Sequence, residues 1–205
     1  RPSVHDGTAF TSVVSFDMTD DRAAPTTATL ESRPGAVFAS ETGLYVAVVH
    51  QKTSQGWYSY YPAEDEVSDI HEFRIGASPA QTTYVGSGTI PGHVLNQYAM
   101  DEWYGYLRVA TTTDSARPDN GVYVLAADTL AEVGHVGGLG RGEQLDAVRF
   151  AGPLAYVVTF RQVDPLFVVD LADPARPAIA GSLTMSGYST YLHDAGNGRV
   201  LGVGE

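Results

Sequence analysis

The chain has no cysteine. That absence excludes disulfides, thiolate zinc sites, iron–sulfur clusters and cysteine nucleophiles, although it does not assign a compartment. Lysine is almost missing: Lys52 is the sole one, and the other basic residues are arginines scattered singly. With 24 Asp and Glu against 12 Lys and Arg, the formal charge is −12. A chain of that balance lacks the basic stripe that releases counterions from a nucleic-acid backbone or an anionic lipid surface, so neither partner is expected. No run of about 18 apolar residues occurs, so no helix is expected to span a bilayer. No charged-then-apolar leader is present, and the chain opens at Arg1, as a processed product would. A secretory leader or membrane anchor carried upstream of this chain is the resulting expectation.

Long helical periods are scarce too, and short β-rich runs stand in their place. Between Leu145 and Gly187 four such runs follow one another: Leu145–Phe150, Leu154–Phe160, Leu166–Asp170 and Ala178–Leu183. Val, Ile, Tyr and Phe suit a pleated, half-buried surface, while the Gly, Pro and Asp between the runs supply turn angles and local hydrogen bonds. The stretch reads as one four-stranded antiparallel sheet.

The rest of the chain repeats that unit in halves. Phe16-Asp17-Met18-Thr19-Asp20 matches Val169-Asp170-Leu171-Ala172-Asp173, so a second half arrives first. First halves follow at Ala36–Ala39 with Leu44–Val49 and at Gln97–Gly105 with Tyr106–Thr112. Second halves follow at Ile70–Ile75 with Thr82–Val85 and at Val122–Leu125 with Ala131–Val136. The chain then finishes on a first half at Thr190–His193 and Arg199–Val203. Equivalent inner strands begin at Leu44, Tyr106, Ala155 and Arg199; the later intervals lie in the forties, and the first is longer by about the length of an insertion at 51–69. A period in the forties with four strands per repeat signals a β-propeller. The expectation is an all-β chain, 1–205, forming a single propeller domain with about four blades' worth of strands. It is either part of a larger propeller or a small ring closed by one blade that takes strands from both ends.

Several strings carry a resemblance. Ile90–Thr112, Val148–Phe150, Ala155–Leu171 with its Thr-Phe-Arg-Gln-Val-Asp-Pro-Leu-Phe core, and Gly187–His193 resemble a family of secreted prokaryotic proteins with a C-terminal β-propeller domain distantly related to WD40 repeats. The likeness covers about Gly43 to Glu205. It implies an extracytoplasmic protein, often membrane-anchored, without an established activity and without catalytic residues to carry over. Members usually continue past the Leu-Gly-Val-Gly at 201–204, which favours the larger-propeller reading.

Candidate chemistry is sparse. Ser189, His193 and Asp194 lie close together, yet strand neighbours face opposite ways and no Gly-x-Ser-x-Gly elbow exists. His50, His71, His93, His135 and His193 are not spaced as a metal-binding motif. Asp17, Asp20 and Asp21 read as turn residues, and Glu64, Asp65 and Glu66 as a solvated loop. No cofactor is expected, with calcium in an oxygen-rich loop the one exception weighed.

Arg161, Gln162 and Asp164 are the polar residues that turn chemistry explains least. They read either as a tie between blades, with Arg161 pairing Asp101 or Glu102, or as an anion contact on the propeller face. Trp57, Tyr58, Tyr60 and Tyr61 read as an aromatic loop that meets a partner or stacks on a sugar, or else as a cap on a blade core. A non-catalytic binding or scaffolding module outside the cytoplasm, meeting a protein or cell-envelope component, is the functional expectation. The alternative is a propeller enzyme or lectin-like protein acting on a glycan, with Asp101 and Glu102 as the carboxylate pair.

Overall fold

The computed structural model describes residues 9–20, 22–51, 66–115, 117–160, 164–185, 187 and 189–204. Among them run β1 (Phe10–Ser15), β2 (Thr26–Glu31), β3 (Ala36–Ala39), β4 (Gly43–Gln51), β5 (Glu66–Arg74), β6 (Thr83–Pro91), β7 (His93–Val94), β8 (Met100–Trp103), β9 (Tyr106–Thr112), β10 (Asn120–Ala126), β11 (Glu132–Gly137), β12 (Gln144–Ala151), β13 (Leu154–Phe160), β14 (Asp164–Asp170), β15 (Ala178–Met185), β16 (Ser189–Asp194) and β17 (Val200–Gly204). Three sheets are complete: β3-β4-β5-β6, then β7-β9-β10-β11 with β8 also on β9, then β12-β13-β14-β15. In the first and third of these sheets each strand pairs antiparallel with the next in the chain, the meander expected of propeller blades.

In the middle sheet the leading strand is broken. β7 pairs with β9 at Thr111 and Thr112, and β8 pairs with it from Tyr106 to Val109. Between them Asn96 accepts the Tyr98 N–H on its side chain and starts a single 3₁₀ turn, Gln97–Ala99. A short polar side chain that captures a nearby backbone donor competes with the sheet ladder, so the run splits there.

Asp residues end the outer hairpins by the same device. Asp17, Asp20, Asp170 and Asp173 each accept, on Oδ1, the N–H two residues on, at 2.8 to 3.1 Å. This is why Asp17-Met18-Thr19-Asp20 and Asp170-Leu171-Ala172-Asp173 look alike in the sequence.

The main core runs through all three complete sheets, with Ile70, Ile90, Leu107, Val109, Val122, Ala155, Val157 and Val169 fully buried. The sheets approach closely at their outer strands. A Cβ on Gly88 of β6 would strike the Leu130 carbonyl before β11, and one on Gly134 of β11 would strike the backbone of Pro174 and Ala175 before β15. The same small-residue contact thus recurs at successive seams.

Two strand pairs flank this body. β1-β2 packs Val13, Ala28 and Leu30 on Val46, Val48 and Phe73 of the first complete sheet. β16-β17 packs Leu192 and Val200 on Ala147, Tyr156 and Val158 of the third. The terminal pairs do not join each other, so the small closed ring is not formed. The physical reason is that each pair buries its apolar face on its own neighbouring sheet, and no ladder links β1 to β17. The described strands make a propeller-like succession of sheets that is not closed.

Candidate functional site

β8 places two adjacent carboxylates on opposite sides of one strand, and each enters a different seam. Alternation does this: successive side chains on a strand point to opposite faces. Glu102 reaches the first complete sheet, where its carboxylate accepts from Ser40 Oγ at 2.5 Å, Tyr45 Oη at 3.0 Å and Thr42 Oγ1 at 3.1 Å. Tyr45 is buried, and burial followed by the Glu102 charge pushes its phenol far above the ordinary range. It therefore remains a donor to Glu102 at every ordinary pH.

Asp101 turns toward the third sheet. Its Oδ2 accepts from both Nε and Nη2 of Arg108, a buried β9 residue, and Arg108 Nη1 donates to the Gly152 carbonyl at 2.5 Å. The guanidinium also lies over Trp103 at 4.8 Å and over Phe150 at 5.1 Å. A desolvated cation on two rings and one carboxylate makes a strong tie between sheets.

Beside Glu102 a cavity of about 430 Å³ opens at the rim. Its wall includes Glu72, Arg74, Tyr104 and Asp128. Tyr104 and Gly105 form the two-residue β8-β9 turn with φ of 49° and 79°, as a type I′ hairpin requires. A tyrosine is uncommon there, and its side chain is 84% exposed with its ring edge-on to Trp103. Glu72 is the opposite: only 3% exposed, with Oε1 accepting from Arg74 Nη2 at 3.4 Å and Oε2 buried without a partner. Burial, the largest cause, raises its carboxyl above the ordinary value, and Arg74 opposes that rise.

The histidines are dispersed. His50 faces Asp69 at 3.7 Å, His71 meets the Tyr84 hydroxyl at 3.2 Å, His93 meets Glu66 at 3.1 Å, His135 meets Glu132 at 2.8 Å, and His193 meets the Tyr191 hydroxyl at 3.3 Å. Asp69 also accepts from Thr89 at 2.5 Å, which makes a polar bridge across β4, β5 and β6. Among the described residues no three His, Asp or Glu gather as a metal site. Asp194 accepts the Gly196 N–H rather than orienting His193.

Trp57, Tyr58, Tyr60, Tyr61, Arg161 and Gln162 lie outside the described residues, and so does the side chain of Asp164, whose backbone begins β14. The Arg161 pairing with Asp101 or Glu102 therefore has no described geometry. Asp101 is held by Arg108 and Glu102 by hydroxyls. Arg108 was missed in the sequence, where it stood inside an ordinary apolar run.

The repeated antiparallel sheets and the polar ties at their seams define a propeller-type module. The family model described as "Beta propeller domain" matches residues 1–205, and the chain belongs to that family. An uncharacterized protein of Methanocaldococcus jannaschii is 49% identical over 125 residues, covering 59% of this chain and 20% of its own length. An uncharacterized protein of Archaeoglobus fulgidus is 44% identical over 136 residues, covering 66% of this chain and 22% of its own length. The chain thus spans about a fifth of the curated relatives it matches, and both relatives are archaeal.

Proposed function

We propose that the chain is a non-catalytic binding or scaffolding module of propeller type, one domain over 1–205, that works outside the cytoplasm and meets a protein or cell-envelope component. The observation that carries this reading is how the β8 carboxylates are used. General acid–base work on a glycan needs two carboxyl groups facing one scissile bond. Asp101 and Glu102 diverge into separate seams, and each is engaged by donors from other strands.

A glycan reading has one observation of its own. The exposed Tyr104 ring stands beside Glu72, Arg74 and Asp128 in one open cavity, a set able to stack on a sugar face and bind its hydroxyls. The two readings part in one assay. The chain is incubated with a panel of envelope polysaccharides, reducing ends are counted, and binding is read in parallel. The non-catalytic reading expects no release above the blank. Turnover that disappears in E72Q would overturn it, while saturable binding lost in Y104A without turnover would make the module a lectin. Cell fractionation tests the compartment: recovery with cytosolic markers alone sinks the extracytoplasmic part.

A further inference from the structure

A second cavity, of about 370 Å³, lies where the leading strands of the three complete sheets converge. β3 contributes Phe38, the 3₁₀ turn contributes Gln97 and Tyr98, β8 contributes Met100 and Asp101, and β12 contributes Arg149 and Phe150. Its size is that of a small-ligand pocket, and its lining mixes apolar walls with the polar side chains of Gln97, Tyr98, Asp101 and Arg149.

Arg149 is the unexplained member. It is half-buried, its Nε is buried without a hydrogen-bond partner, and no ion pair holds it among the described residues. The arginines that line or tie the seams elsewhere each have a carboxylate: Arg74 has Glu72 and Arg108 has Asp101. Asp101 also borders the cavity, but two Arg108 donors already converge on its Oδ2. A desolvated guanidinium donor left empty costs about 1–3 kcal/mol, so a fold keeps one where something else supplies the acceptor.

Local charge points the same way. Asp101 and Arg149 are the charged residues of the lining, and Asp101 is already paired with Arg108, which leaves Arg149 as the uncompensated cation of this wall, on a chain whose formal charge is −12. The overall field repels polyanions, while a singly charged ligand meets the local cation at little cost. The guanidinium fork matches a carboxylate bidentately, and Phe38, Met100 and Phe150 offer walls for a flat apolar body. The Tyr98 ring at the border is braced edge-on by Tyr191 of β16, 5.5 Å away.

We propose that this cavity is a binding site for a small monoanionic carboxylate with a planar apolar body, held by Arg149. The site is separate from the cavity beside Glu102, and its fate does not decide the reading of the module as catalytic or not.

The test uses the 205-residue chain and four probes: phenylacetate, benzoate, the neutral phenylacetamide and inorganic phosphate. Binding is followed by calorimetry and by ligand-observed NMR. Saturable binding of an aryl carboxylate is expected, with the amide and phosphate at least tenfold weaker. R149Q should weaken the carboxylate tenfold or more and leave the amide unchanged. If R149Q misfolds by circular dichroism, A39F serves instead, because Ala39 lines the cavity from β3 while Arg149 is retained; it should abolish binding. The proposal falls if neither carboxylate binds up to millimolar concentration, if the amide binds as well as the acid, or if a folded R149Q or A39F binds unchanged.

Discussion

The seams between the complete sheets and the faces of the terminal strand pairs are built from the same residue types, yet they end in opposite states. At the seams Leu107, Val109, Val122 and Val157 are fully buried, and Glu102 and Arg108 tie neighbouring sheets. On β1 and β17, Phe10, Val14, Leu201 and Val203 are each more than half exposed. A blade gains its stability across its two neighbours rather than within itself, so a strand pair with one neighbour keeps one apolar face in water.

The largest break in that comparison is expected at Arg108. Arg108→Met keeps the apolar stem but removes the cation from Asp101, Gly152, Trp103 and Phe150 together. Asp101 is 31% exposed and can be rehydrated, so the loss should fall near the lower end for a broken buried pair, about 3 kcal/mol. Urea unfolding measures it. A loss under about 1 kcal/mol would mean that the seam is held by apolar packing alone.

At the neighbouring seam a smaller effect is due. Tyr45→Phe deletes one of three hydroxyl donors to Glu102 and leaves the ring stacked on Phe38, with a cost of about 1 kcal/mol. A double-mutant cycle with Glu102→Gln should show coupling between the two positions. Additive effects would deny that this bond joins the sheets.

These ties explain what could be read from the chain and what could not. Strand runs were legible because they are local: Leu154–Phe160 and Tyr106–Thr112 announce themselves by Val, Tyr and Thr content and are β13 and β9 as read. The split of Gln97–Gly105 was not legible, since it turns on whether the Asn96 side chain takes the Tyr98 N–H in preference to the ladder. The partners of Glu102 lie 57 to 62 positions away, so nothing near β8 reveals them. Ring closure stayed open between two readings for a related reason. Matching first and second halves in sequence is satisfied equally by a ring and by an open succession, and only pairing between β1 and β17 separates them.

Glu72 offers a test at the rim of the first seam that depends on pH. Its carboxyl is raised above 4.5 in the folded chain, so the folded state binds that proton more tightly than the unfolded state does. The resulting sign is a loss of stability as pH rises from about 4.5 through the raised folded value, with the full penalty present above it. Glu72→Gln imitates the protonated form. It should melt with the parent at pH 4 and above it at pH 7. Equal melting at both values would mean that the Arg74 contact offsets the desolvation of Glu72.

The smallest effect is expected at the far end. Val203 on β17 is 54% exposed, and its partner across the ladder is Tyr191. Val203→Thr retains the β-branched shape and the strand preference while replacing a methyl that already faces water, so stability should change by no more than about 0.5 kcal/mol. The same substitution in a seam, Val157→Thr in β13, would bury a hydroxyl among apolar neighbours and cost several times more. The ratio of the two losses measures the difference between a strand with two neighbours and a strand with one. A ratio near unity would mean that β17 is covered in solution, and the contrast between seams and terminal pairs would then no longer describe the molecule.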